Sequence, residues 1–292
     1  MKTKKRIALF IAALALTATV VLSSVAFVGC GADTVSIAGS TSMKNVMEAL
    51  ADAYNEKTGN QIDLNFNGSG EGIKAAQDNS VDFGLASRDL KDTETGVEQV
   101  TIAVDGIALI VATSNSVTNV TSQEVFSLYS EGTAIQTSIT TPVIREDGSG
   151  TRSAFEEIIT GIPSDGTEEV ALEKVDLLSG MTETTSTGTM IETVSSNASA
   201  IGFASYSEAK AAEDQDQVKI LQFESVTPTT ESIGDGSYTL ARNFNLILPD
   251  GGYDSLSDAA KDFYDFIASD EGIAVIEAEN LVTVDIPSGD AE

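Results

Sequence analysis

Val143-Ile144-Arg145-Glu146-Asp147-Gly148-Ser149-Gly150-Thr151 is the stretch on which the reading of this chain turns. An apolar run over Pro142–Arg145 reads as a strand, a Gly/Ser turn follows, and a helical pattern begins at Thr151 and runs to Ile159. The first four N–H groups of a helix have no intrahelical partner, and the macrodipole leaves about half a positive charge there. Glycine lets a backbone approach a ligand closely, and hydroxyls add donors beside the N–H groups. Such a turn is suited to phosphate or sulfate oxygens, and Arg145 precedes it closely enough to reach the same anion.

Two other places share the design, Gly39-Ser40-Thr41-Ser42 and Gly68-Ser69-Gly70-Glu71-Gly72. Any one of them also reads as an ordinary N-cap; three in one chain point to a shared purpose. Around them strand and helix patterns alternate. Val35–Ala38 reads as a short buried strand, and Met43, Val46, Met47, Leu50 and Tyr54 then recur at helical spacing. Ile62, Leu64 and Phe66 alternate with polar residues as in a half-buried strand. Val81–Ala86, Ile102–Val104, Ile107–Ala112, Ala200–Ser205, Val218–Phe223 and Leu240–Leu248 are further strands. Thr121-Ser122-Gln123-Glu124 is a capping box, and Glu208–Ala212 and Ser255–Ala268 read as helices. Alternation of this kind means α/β. Without repeats or a long linker, two domains would have to share interleaved segments.

Composition narrows the function. The 292 residues carry 16 Lys and Arg against 45 Asp and Glu, a net charge of −29, which argues against nucleic acid or an anionic membrane as a partner for a basic face. With no His and one Cys, histidine triads, a cysteine nucleophile beyond residue 30 and ordinary zinc sites are excluded, and no metal or cofactor is expected. Thr41-Ser42-Met43-Lys44 lacks the serine that an S-x-x-K dyad requires, and no G-x-S-x-G occurs. Lys2, Lys4, Lys5 and Arg6 precede an apolar run from Ile7 to about Val28, the layout of a signal peptide over residues 1–29. The same run is long enough for a membrane helix. Phe27-Val28-Gly29-Cys30 decides between them, because it resembles a lipobox, with lipidation at Cys30 and residues 30–34 as a tether.

Several blocks together resemble the phosphate-binding component of phosphate ABC importers. They are Ile37–Ser42, Gly68–Ala75, Val81–Arg88, Asp105–Ala108, Arg145–Thr151 and Ala200–Ser205, and the resemblance runs from about residue 35 to 280. It implies a two-lobed, type II periplasmic-binding-protein-like α/β fold, with two crossover strands forming a hinge near Ile107–Ala112 and Leu240–Asn245. Residues 35–108 plus 244–292 would form lobe I, and 109–243 lobe II. The implied phosphate ligands are Ser40, Thr41, Ser42, Ser69, Ser87, Arg88, Arg145, Ser149, Gly150 and Thr151, with Asp147 orienting Arg145. Some relatives place an aspartate after the Phe-Gly strand, where this chain has Ser87-Arg88-Asp89; Arg88 is either a further donor or the partner of Asp89, and if it is a donor, Glu71 or Asp105 is the candidate for phosphate selectivity.

The implied protein is a monomer on the outer face of a bacterial membrane, held there only by its lipid, and its partners are inorganic phosphate and the permease subunits of an importer. It would not be an enzyme. A sulfate or molybdate-like oxyanion, a phosphorylated metabolite, or a sensing role are the alternatives. Thr185-Ser186-Thr187-Gly188-Thr189 reads as a solvated loop rather than a cleft rim.

Overall fold

The structure, a computed structural model, describes residues 34–164 and 173–289. The expected signal peptide, Cys30 and the tether up to residue 33 lie outside them. No helix among the described residues is long and apolar enough to cross a membrane.

Ten strands make one sheet: β1 (Val35–Gly39), β2 (Ile62–Phe66), β3 (Phe83–Ala86), β4 (Val97–Ala112), β5 (Thr141–Arg145), β6 (Thr182–Thr184), β7 (Ala200–Ser205), β8 (Val218–Ile220), β9 (Ala241–Pro249) and β10 (Val282–Thr283). The helices among the described residues are α1 (Lys44–Thr58), α2 (Ser69–Gln77), α3 (Ser122–Glu131), α4 (Gly150–Ile158), α5 (Thr187–Ser195), α6 (Tyr206–Glu213), α7 (Thr230–Gly234), α8 (Asp258–Ala268) and α9 (Asp270–Ala278). The sheet order is β2-β1-β3-β9-β4-β7-β5-β6, and β8 and β10 also pair with β4. Pairs at both ends are parallel, whereas β9 and β4 in the middle are antiparallel to their neighbours.

The apolar residues sort into two main cores. One packs α1, α8 and α9 against β1 and β3, with Tyr54 edge-on to Phe263 at 5.1 Å between ring centres. Met43, Val46, Met47, Leu50 and Tyr54 all face it, as their helical spacing requires. The other gathers α3 to α6 around β5, β7 and the end of β4, where Phe155 stacks on Phe203 at 4.1 Å. Ile102 and Ala103 belong to the first core and Ile107–Val111 to the second, so β4 runs from one to the other. On the way back, Leu240 lies in the second core and Phe244, on β9, in the first.

Three readings of the sequence need correction. Ile102–Val104 and Ile107–Ala112 are parts of one sixteen-residue strand, because Asp105 and Gly106 between them stay in register with Arg242 and Ala241 on β9. Val218–Phe223 is two pieces: β8 pairs with β4, but Gln222–Phe223 pairs with Asn119–Val120. Helices α5, α7 and α9 were not expected.

Gly72 fixes how closely α2 approaches the sheet. A β-carbon there would stand 2.6 Å from both the Ala38 carbonyl oxygen and Gly39 Cα, and 2.8 Å from the Leu85 carbonyl oxygen. Backbone on β1 and β3 cannot move aside as a side chain can. Gly72→Ala should therefore lower stability by about 1–3 kcal/mol, the usual cost of overpacking, as read from urea denaturation; an unchanged midpoint would mean that α2 is free to shift.

Candidate functional site

Each Ser/Thr/Gly turn sits where a strand gives way to a helix. The chain leaves β1 through Ser40, whose Oγ accepts from Ser42 N at 3.3 Å, and Thr41–Met43 form a single 3-10 turn before α1. Gly68 precedes α2, which starts at Ser69. Ser149 caps α4 by accepting from Arg152 N at 3.3 Å. Ser87 directly follows the last residue of β3.

These turns converge, although they come from both cores. Ser42 Oγ lies 2.8 Å from Thr151 Oγ1. Ser40 Oγ donates to Ser87 Oγ at 2.9 Å, and Ser69 Oγ lies 3.2 Å from Ser87 Oγ while accepting from Ser87 N at 3.1 Å. Gly70 N, in the first turn of α2, donates to the Gly148 carbonyl at 3.0 Å. Gly150 closes the gap: a β-carbon on it would stand 2.5 Å from both Ser69 Oγ and Ser87 Oγ, so only glycine allows α4 to begin here. Ser40, Thr41, Ser42, Ser69, Ser87, Ser149 and Thr151 are all buried.

Arg145, at the end of β5, is 1 % exposed. Its Nη2 donates to Thr41 Oγ1 at 3.0 Å, which ties the second core to the first. The charge is balanced by Glu146: Nε donates to Oε2 at 2.7 Å and Nη2 to Oε1 at 2.6 Å. The expectation that Asp147 orients Arg145 is therefore corrected. Asp147 is exposed and accepts from Gly148 N at 3.0 Å, shaping the turn.

Arg88 does not join the hydroxyl cluster, and the reading of it as a donor there is corrected. Its guanidinium forms a two-pronged pair with Glu94, at 2.7 and 2.6 Å, and also donates to the Asp89 carbonyl. It turns away because its neighbour Ser87 takes the inward position. The Arg88 charge holds the Glu94 carboxyl below its ordinary value through those hydrogen bonds.

Neither candidate for selectivity touches the cluster either. Glu71 is exposed. Asp105 is buried opposite Arg242, its register partner on β9, with Arg242 Nη2 donating to Oδ2 at 3.1 Å. Burial pushes the Asp105 carboxyl up, against the pull of Arg242. Burial likewise lowers Arg242, and the nearby Arg145 charge adds to that.

Sequence reasoning missed Thr187. It is 1 % exposed, at the first position of α5, and its Oγ1 accepts from Arg145 Nη1 at 3.2 Å. The same oxygen lies 3.1 Å from Ser42 Oγ and 3.3 Å from Thr41 Oγ1, so the expected solvated loop is instead a further helix start in the cluster. Ser186 and Thr189 form a capping box ahead of it. Their pairing three residues apart was the available signal, hidden by Thr standing where Glu or Gln usually does. Hydroxyls, helix N-termini and a guanidinium together are equipped to hold an oxyanion.

Comparison with known proteins gives matches over most of the chain. The profile of a PBP superfamily domain matches residues 24–271. Phosphate-binding protein PstS 2 of Streptococcus agalactiae serotype V is 39 % identical over 144 residues, covering 49 % of this chain and 45 % of that protein, so this match spans about half the length of the relative. A crystal structure from Clostridium perfringens, described as a phosphate ABC transporter substrate-binding protein with bound phosphate, is 34 % identical with a TM-score of 0.75, over 86 % of this chain and 100 % of that one. An ABC-type phosphate transport receptor from Vibrio cholerae is 27 % identical with a TM-score of 0.64, over 86 % and 100 %.

The Asp105–Arg242 pair gives a test of what joins β4 to β9. Asp105→Asn should cost about 3–5 kcal/mol in urea denaturation, because it leaves a buried guanidinium uncompensated. Replacing Asp105 with Leu and Arg242 with Met together should cost less than that single change; equal losses would show that packing, not charge, matters there.

Proposed function

Since this chain belongs to the PBP superfamily, we propose that it captures inorganic phosphate between its two cores and delivers it to an ABC importer. The observation that carries this reading is the meeting of Ser42 and Thr151 at 2.8 Å, beside an Arg145 that is bonded to Thr41 and Thr187. Four helix starts and one buried guanidinium thereby meet in a single cluster of hydroxyls. The C. perfringens structure, which contains phosphate, supports the choice of ligand.

In this reading Ser40, Thr41, Ser42, Ser69 and Ser87 bind from lobe I, residues 35–108 plus 244–292. Arg145, Ser149, Gly150, Thr151 and Thr187 bind from lobe II, residues 109–243. The hydroxyls that now bond one another turn their protons to the phosphate oxygens. Each hydroxyl also keeps lone pairs, so one of them accepts the proton of hydrogen phosphate. Charge-assisted bonds contribute about 1.5–3 kcal/mol each, enough in sum for tight capture after ordering costs. The distant negative surface does not prevent this, because salt screens it over about 8 Å. β4 and β9 act as the hinge, and closure presents both lobes to the permease. The chain binds and does not turn over its ligand. It is anchored through a lipid on Cys30, outside the cell, as a monomer.

Calorimetry on the purified protein tests the proposal by comparing phosphate with sulfate. Phosphate should bind more tightly. Arg145→Ala should weaken binding by more than about tenfold while the far-UV spectrum stays intact, since it removes at least one charge-assisted bond. Thr187→Val, which keeps the shape and removes the hydroxyl, should weaken it severalfold. Preference for sulfate would change the substrate and keep the fold; unaltered affinity in Arg145→Ala would remove the site.

A further inference from the structure

We propose that Glu208, reaching from the second core to the first turn of α1, makes phosphate capture proton-dependent by linking lobe closure to its own protonation. This rests on the function proposed above and adds a residue that does not touch the ligand.

Asn45 N is one of the N–H groups at the start of α1 that no intrahelical carbonyl can satisfy. Its acceptor is Glu208 Oε1 at 3.3 Å, 163 residues away in sequence. Glu208 sits near the start of α6, and its neighbours Ala209 and Ala212 are packed in the second core. Asn45 belongs to α1, whose buried face is in the first. The bond therefore spans the two cores, and a cleft of about 440 Å³ lined by Asn45, Gly188, Ile191, Glu192 and Glu208 lies beside it. Thr41 and Ser42 of the hydroxyl cluster immediately precede the same helix. One positive helix end thus serves both the proposed phosphate and the Glu208 carboxylate.

The surroundings do little to neutralise that carboxylate. Lys44 on α1 acts on it, but is committed to Glu48 at 2.8 Å. Glu48 and Asp105 on β4 oppose its charge, and Glu192 on α5 lines the same cleft. Lys210 on its own helix pairs with Asp214, and Lys219 on β8 donates to the Asn115 carbonyl. Burial is the largest influence and pushes Glu208 up to about 7, with the Asn45 N–H and Lys44 offsetting part of it.

Opening the lobes breaks the bond to Asn45 and hydrates the carboxyl, returning it toward the ordinary glutamate value of about 4.3. The closed form therefore binds a proton more tightly than the open one. By linkage, the contribution of protonated Glu208 to affinity is full below the open-form value and is lost as pH rises through about 7. Above that, an ionised Glu208 opposes closure and repels the phosphate at the shared helix end.

Glu208→Gln keeps an acceptor for Asn45 N and removes the charge. Phosphate affinity of the protein and of this variant should be measured by calorimetry from pH 5 to pH 8; the ligand's own ionisation is common to both and cancels in the ratio. The variant should bind about a hundredfold more tightly or better at pH 8, and the two should converge to within about sixfold by pH 5, since each unit of pKa difference is worth a factor of ten. Glu192→Gln, in the same cleft without the bond to Asn45, should leave the ratio flat. Carbon-13 titration of the glutamate carboxyls gives a readout without any variant: one should titrate near 7 with phosphate bound and move to the ordinary range when it is removed. Parallel pH curves, or no such carboxyl, would overturn the inference while leaving phosphate capture standing. Absence of phosphate binding at every pH would overturn both.

Discussion

A guanidinium cannot be left alone in a low-dielectric interior, and Arg145 is buried between two hydrophobic cores. Its solution governs the rest of the structure. Glu146, the next residue, takes two of its donors and neutralises it, while the remaining contacts go to Thr41 and Thr187. One of those hydroxyls stands in the turn that leads into α1 and the other on α5. Satisfying a single side chain from the second core therefore requires the first core to be in place. Several buried hydroxyls gather at the same point, and they too satisfy one another only when both cores meet.

The strands provide the other half of this constraint. β4 and β9 lie side by side as they pass between the cores, and Asp105 and Arg242 face each other across them. Two donors of Arg242, Nε and Nη1, are buried without a partner. Such groups are costly and rare in native proteins. A pair built this way is weak support for overall stability, and its place between the cores makes it a device for keeping two strands in register. Register matters here because a slip of one residue would turn every side chain on β4 to the opposite face.

Local pattern explains what could be read from the sequence. The face of α1, the strand alternation of β2 and the capping box at Thr121–Glu124 each depend on residues within a few positions of one another, and all are found. The helix starts at Ser42, Ser69 and Thr151 were legible for the same reason, and their meeting was the point on which the anion site stood. What was not legible depends on distance. Nothing near Asp105 reveals that Arg242, 137 positions later, allows a carboxylate inside a continuous strand. Nothing near Arg88 shows that Ser87 occupies the inward position and sends the guanidinium to Glu94. The resemblance implies that Asp147 orients Arg145 from two residues along, a spacing that shares one face only within a strand. β5 ends at Arg145, however, so that periodicity no longer holds and Glu146 swings round instead. Thr187 was lost among polar neighbours that differ little from those of an ordinary loop.

The charge balance at the cluster bears on how it treats an anion. Arg145 and Glu146 together carry no net charge, so attraction cannot come from a simple excess of cations. It has to come from oriented groups: backbone N–H at helix starts, and hydroxyls that both donate and accept. Oriented dipoles act over short distances and lose little to the −29 charge of the whole chain. They also respond strongly to any neighbouring carboxylate that shares their helix end. Glu208 is such a neighbour, bonded to the turn that follows Thr41 and Ser42. In a cluster assembled from dipoles, its one guanidinium already neutralised by Glu146, the Glu208 carboxylate bonded to Asn45 N at 3.3 Å has leverage that a row of arginines would have swamped.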